Sequence, residues 1–295
     1  MTAVTEPGLT EVGIEAAAAV REMLVRAVGG SPVAVYVEER PLSWDTLQQG
    51  GWDLLGASED DGGGGATLRD LVEVGRAWGW AIVPAPLMPT IMAKRWSSAA
   101  REHDGPVTVG VRTRTSGDRS VAPFAGEDGA RLLISTDGGG TLADATEVEP
   151  DLYAPSLRLT ECREVTAVSP EMVRELMTVW AAEASGCAAR MLHDAIAYAK
   201  ERQQFGQPIG RFQAIKHQLA NAHMFAEQAE TAVILASQEA ERAPAATRYA
   251  FDASLKVIET AIQVHGGLGF TWEMGLHMYL RHVGALRELS SGLSA

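Results

Sequence analysis

The sequence predicts a mainly α-helical protein with a small β region, and three observations support this. Apolar residues recur at three- and four-residue steps through Leu68, Leu71, Val74 and Trp78, the spacing of one helix face. The same steps run from Val173 through Met177, Trp180, Ala184, Cys187, Met191 and Ala195 to Tyr198, about seven turns without a break. Between these stretches, Val107, Val109 and Val111 alternate with Thr108, Gly110 and Arg112, the period-two pattern of a strand. The chain of 295 residues is thus divided into an N-terminal helical domain over 1–105, a β domain over 106–166 and a C-terminal helical bundle over 167–295.

Taken in order, residues 16–28 are rich in Ala, Val, Leu and Met and read as a helix. Ser43 is positioned to cap a short helix over 44–50, and Thr67 to cap the helix through Trp78. Between them lie four consecutive glycines, Gly62 to Gly65, preceded by Asp60 and Asp61. Successive backbone N–H groups there could form an anion nest, but the two acids would repel an anion, so a flexible connection is the reading adopted. Pro84, Pro86 and Pro89 are expected to break the helix that precedes them. Short apolar runs such as Arg131 to Ser135, bounded by Gly- and Asp-rich turns, predict a small antiparallel β region. Ser169, Pro170 and Glu171 then start a long helix: a capping hydroxyl, proline at the first helical position and an acid at the positive dipole end. Gly206 and Pro208 end it. A second stripe begins at Phe212, Ile215, Leu219 and Ala222; a third helix covers 244–264, and a fourth is expected near Glu273. Four long helices with short connections predict a bundle.

Composition narrows the function classes. With 46% hydrophobic and 21% charged residues the chain is ordinary for a globular protein. No apolar run approaches the roughly 18 residues that cross a bilayer, and Glu6, Glu11 and Glu15 do not suit a targeting segment. A cytoplasmic protein without a membrane anchor is expected. The net charge of −13 and the lack of a basic cluster argue against nucleic acid as a partner. Cys162 and Cys187 are too far apart in sequence for a metal-ligand motif and read as structural. HExxH, the GxxxxGK[ST] phosphate loop and GxSxG are all absent.

Two motifs carry a resemblance. The first runs from Tyr198 through Arg202, Phe205 and Gly206 to Phe212 and Gln213; the second is Gln263, Val264, His265, Gly266, Gly267, Leu268, Gly269, followed later by Arg281. Read on their own, Arg202 at a helix end could pair with a diphosphate or cap its own helix carbonyls. Gln213 and Gln263 offer amides, and Gly266 and Gly267 allow a close backbone approach. His217 and His265 read as structural. The order of helices, small β region and bundle, with an RxxFG segment before an FQ helix start and a QxxGGxG turn before an arginine, resembles the acyl-CoA dehydrogenase family. The resemblance covers nearly the whole chain and is poorest in the β region. It implies the family's fold: an N-terminal helical domain, a middle β domain that is reduced here, and a C-terminal four-helix bundle. It also implies FAD, with the ADP half contacted by Arg202, Phe205, Gln213, Gln263, Val264, Gly266 and Gly267 and the flavin ring lying mainly in an adjacent subunit.

The departures from the family matter as much. Family members remove an α proton with a glutamate while hydride passes to the flavin. In many of them that glutamate is the ninth residue after the arginine matching Arg281, and here this position is Ser290. Glu288 is near, but two residues turn a helical side chain by about 200°, which is expected to aim it elsewhere. Other members place the base on the first bundle helix, at a position matching Leu176, with Glu175 as a neighbour that reads otherwise as an exposed helix charge. The segment that cradles the flavin ring and thioester has no counterpart beyond a possible remnant at 121–126.

The resemblance therefore implies a subunit of a heteromeric acyl-CoA dehydrogenase, the short kind that lacks its own base. A related chain would supply the catalytic glutamate in an α2β2 assembly, with electron-transfer flavoprotein as acceptor. Such bacterial heteromers are associated with bulky, steroid side-chain-like acyl-CoAs. A homomeric flavoenzyme using Glu175, and a non-catalytic scaffold on the same fold, are the alternatives.

Overall fold

The structure, a computed structural model, describes residues 8–28, 42–114, 116–150 and 153–293. Residues 1–7 and 294–295 of the expected end domains lie outside the described residues. Among the described residues, five α-helices precede the β region: α1 (Glu11–Val28), α2 (Trp44–Gln49), α3 (Leu68–Gly79), α4 (Leu87–Trp96) and α5 (Ser98–Glu102). The capping residues act where the sequence puts them. Ser43 Oγ accepts from the Thr46 N–H. Thr67 and Asp70 form a reciprocal capping box at the start of α3. Pro89 departs from expectation: it lies in the first turn of α4, where a missing N–H costs nothing, so it helps to start a helix rather than end one. The glycine loop is not a flexible connection. The N–H groups of Gly62, Gly63, Gly64 and Gly65 donate to the carbonyls of Glu59, Ser58, Leu54 and Ala57. With all four donors used internally, the loop is an ordered turn and no anion nest.

Among the described residues, the β region holds two three-stranded sheets, with β1 (Val107–Val109), β2 (Ser120–Pro123), β3 (Arg131–Ser135), β4 (Thr141–Ala143), β5 (Glu147–Pro150) and β6 (Leu159–Cys162). One has the order β1-β3-β4 and the other β2-β6-β5. The region is not purely antiparallel, because β1 pairs with β3 in parallel. Within 121–126, Ala122 and Phe124 are buried, Phe124 with φ +59, and the Phe124 N–H bonds back to the carbonyls of Leu157 and Arg158. Val121 of the same segment lines a cavity of about 300 Å³.

The bundle consists of α6 (Pro170–Glu201), α7 (Gln213–Gln238), α8 (Ala243–His265) and α9 (Leu276–Leu293), the last beginning three residues later than expected. Helix α6 is the axle. It packs against α3, α7, α8 and α9, and every residue from Glu175 to Ala188 is buried. A helix enclosed on all sides must pair each polar group it carries. Ser185 Oγ donates to the Ala182 carbonyl, and Glu183 bonds His282 Nε2 at 2.9 Å. Helices α3 and α6 cross in backbone contact: a Cβ on Gly79 would meet the Glu183 carbonyl, and one on Gly186 the Arg76 carbonyl. No helix among the described residues is long and apolar enough to cross a membrane.

Candidate functional site

The two sequence motifs fall on the C-terminal ends of α6 and α8, which lie side by side. Arg202 ends α6, its N–H donating to the Tyr198 carbonyl. The chain then reverses through Phe205 (φ +51) and Gly206 (φ +77), closing a minimal ribbon of β7 (Gln203–Gln204) on β8 (Gln207–Pro208). The Ile209 N–H locks the turn by donating to the Arg202 carbonyl at 2.8 Å. A phenylalanine held at positive φ is strained, and strain of this kind collects at functional sites. The outcome is a ring 92% exposed, set edge-on to Phe212 at 6.0 Å between centroids.

Helix α8 stops at Gly266, whose φ of +63 and ψ of −141 suit only glycine. A 3-10 turn over Gly266–Phe270 follows. A side chain on Gly266 or Gly267 would meet nothing within 4 Å, so both backbones open onto free space. Tyr198 stacks on His265 at 4.4 Å, which binds the first motif to the second. His265 Nδ1 donates to the Ala261 carbonyl at 2.7 Å and is buried, a structural histidine as expected. His217 lies exposed on α7.

Most of the expected contact residues share this surface. Arg202, Phe205, Gln213, Gln263 and Gly267 are exposed, and Gly266 is partly so. The Arg202 guanidinium has no hydrogen bond or ion pair among the described residues, so it does not cap its own helix. Val264 differs: its side chain is 5% exposed and packs into the core, so it presents no side chain to a ligand. Sequence reasoning did not single out Phe270 and Trp272, which are 74% and 51% exposed beside the glycine turn. Two aromatics uncovered beside a glycine turn are a signal that could have been read. His277 lies under Trp272 at 5.2 Å, and burial and the nearby Arg281 charge lower its pKa. On α7, Ile215, Leu219 and Ala222 of the first half pack onto this chain, while Gln213, Lys216, His217, Gln218, Ala220 and Asn221 between them are exposed.

The candidate bases have different surroundings. Glu175 is not an exposed charge. Arg95 Nε donates to its Oε2 at 3.0 Å, Arg95 Nη2 to its Oε1 at 3.1 Å and Trp96 Nε1 to its Oε2 at 2.8 Å. Arg95 also donates to the carbonyls of Gly56 and Ala66, so this carboxylate ties α6 to the N-terminal helices. Ser290 is 4% exposed and borders a cavity of about 450 Å³. Glu288 lines the same cavity.

Comparison with known proteins agrees with this architecture. The family model "Acyl-CoA dehydrogenase, C-terminal domain" matches residues 175–291. Acyl-CoA dehydrogenase IpdE2 of Mycolicibacterium smegmatis is 31% identical over 84% of this chain and 83% of its own length. Acyl-CoA dehydrogenase FadE34 of Mycobacterium tuberculosis is 35% identical over 78% of this chain, which spans only 38% of that longer protein. Among solved structures, the steroid ACAD Tcur3481-Tcur3483 superimposes with a TM-score of 0.75 at 23% identity, covering 96% of this chain and 95% of that one. The ChsE4-ChsE5 complex from Mycobacterium tuberculosis gives 0.72 at 19% identity, covering 97% and 94%. The chain belongs to the acyl-CoA dehydrogenase family.

Proposed function

We propose that this chain is one subunit of an FAD-dependent acyl-CoA dehydrogenase that introduces an α,β double bond into a bulky acyl-CoA, with the cofactor held between this chain and a related one. The observation that carries the reading is the surface where α6 and α8 end. It joins an unpaired guanidinium, an exposed Phe205 ring and two glycines open to free space. These residues fit the ADP half of FAD. Arg202 would take the diphosphate by charge-assisted hydrogen bonds. Gln213 and Gln263 would offer amides, and the Gly266–Gly267 backbone would lie close against the ligand. When bound, FAD supplies the hydride acceptor.

The base is assigned to the partner. The Ser290 hydroxyl is a poor acceptor for a carbon-bound proton. Both Glu175 oxygens are already occupied by Arg95 and Trp96. The exposed Phe205, Phe270 and Trp272 support a partner chain rather than a solitary monomer. The steroid and two-component names of the related structures support a bulky substrate and a heteromer. An α2β2 assembly in the cytoplasm, passing electrons to electron-transfer flavoprotein, completes the proposal.

Arg202→Ala in the purified complex tests it. Losing one charge-assisted pair should weaken flavin retention about tenfold or more on gel filtration. Flavin content equal to wild type would remove Arg202 from the cofactor site.

A further inference from the structure

Small residues let α3 and α6 cross in backbone contact, and they leave a wedge of space where α1 joins the two. A cavity of about 350 Å³ lies there. Its wall is mainly apolar, with Leu24, Val28, Ala77, Trp80 and Ala81 inside and the exposed Val25 at the rim. Unfilled apolar space of this size costs packing energy. Three arginines complete the wall: Arg21, Arg76 and Arg190. Arg190 is committed, to Asp194 at 2.7 Å and over the Trp80 ring at 5.9 Å. Arg76 gives its Nη groups to Glu73 and Glu230, but its Nε–H is buried and has no acceptor. Arg21 is exposed and reaches only to within 4.0 Å of Glu73. Behind the wall, Arg69 also pairs with Glu73. Arg21, Arg69, Arg76 and Arg190 thus outnumber Glu73, Glu230 and Asp194 by one, and the excess cation sits at the cavity. A buried donor without an acceptor is costly, so a ligand that supplies one is favoured.

We propose that this cavity binds a free monocarboxylate with an apolar chain. The chain lies against Leu24, Val28, Ala77 and Trp80. The carboxylate takes the excess charge of Arg21 and accepts from Arg76 Nε. A mainly apolar pocket with a few convergent polar groups suits a small molecule of this kind. The cavity shares no residue with the surface where α6 and α8 end or with the cavity bordering Ser290. The inference therefore goes beyond the flavin reading and stands or falls apart from it.

The test titrates decanoate, and decanol as its neutral counterpart, into the full chain by calorimetry, below the concentrations at which either aggregates. Decanoate should bind one per chain, and decanol about tenfold more weakly. Arg21→Ala should weaken decanoate about tenfold and leave decanol unchanged, because it removes charge and no apolar wall. Ala189→Leu, which pushes a side chain into the cavity from α6, should weaken both probes. Decanoate should also raise the melting temperature of wild type, as a ligand of the folded state does, and raise that of Arg21→Ala less. A detergent effect would lower both. Absence of decanoate binding, the outcome if another segment of this chain or a partner protein fills the space, overturns the proposal. So does equal binding of decanol, or binding that both variants leave unchanged, which would place the probe at another site. If Ala189→Leu does not fold, the Arg21→Ala titration decides alone, since Arg21 is exposed and its loss leaves the core intact.

Discussion

Glu73 accepts from Arg69 Nη1 at 2.7 Å and from Arg76 Nη1 at 3.2 Å, while Arg76 reaches on to Glu230 on α7 at 2.5 Å. Burial alone would raise the Glu73 pKa, but the Arg76 and Arg69 charges and hydrogen bonds outweigh it, and the net shift is downward. A depressed carboxylate contributes stability that is complete above its unfolded pKa of about 4.3 and is lost as pH falls through the lower folded value. Glu73→Gln should therefore cost about 2 kcal/mol near neutral pH, with the gap to wild type closing below about pH 4. Urea melts across pH 3 to 7 check this, and a gap that widens toward acid would contradict the sign. A second buried group looks catalytic and is not. Ser156 Oγ lies 2.7 Å from His282 Nδ1, and His282 Nε2 lies 2.9 Å from Glu183. The order is that of a hydrolase triad, but the three residues are only 1–3% exposed. This chain of hydrogen bonds fastens α9 and the segment before β6 to α6.

At the scale of elements, the crossing of α3 and α6 depends on missing side chains. Gly186→Ala would drive a methyl into the Arg76 carbonyl, and the helices must separate to accept it. The expected loss is about 1–3 kcal/mol, read from the denaturation midpoint; an unchanged midpoint would mean the contact is not tight. Helices were legible in the sequence because their signals are local. Ser43, Thr67 and Ser169 cap within three residues of themselves, and the α6 stripe repeats over many turns. The parallel pairing of β1 with β3 was not legible, because three-residue strands carry too little pattern to state a partner or direction. Pro89 misled for a related reason, since proline both ends one helix and starts the next. The motifs drew together residues that the structure leaves at the surface, Arg202, Phe205, Gln213, Gln263, Gly266 and Gly267. It was not legible where distant elements meet. Glu175 finds Arg95 across 80 positions, and Glu288 shares a cavity with Met177 and Phe251 from two other helices.

At the scale of the whole molecule, the chain buries the middle of α6, from Glu175 to Ala188, and leaves another surface bare. Phe205, Phe270 and Trp272 stand out into solvent, as does one face of the first half of α7. Exposed aromatic rings, with an arginine that has no partner among the described residues, have the composition of an interface centre rather than of a free surface. The proposed sharing of flavin between this chain and a related acyl-CoA dehydrogenase chain is tested by co-expressing the two, then measuring flavin content and mass of the purified species. FAD is expected only in the mixed complex, at about one per pair of chains. A full complement of FAD on this chain alone, as a homo-oligomer, would contradict it.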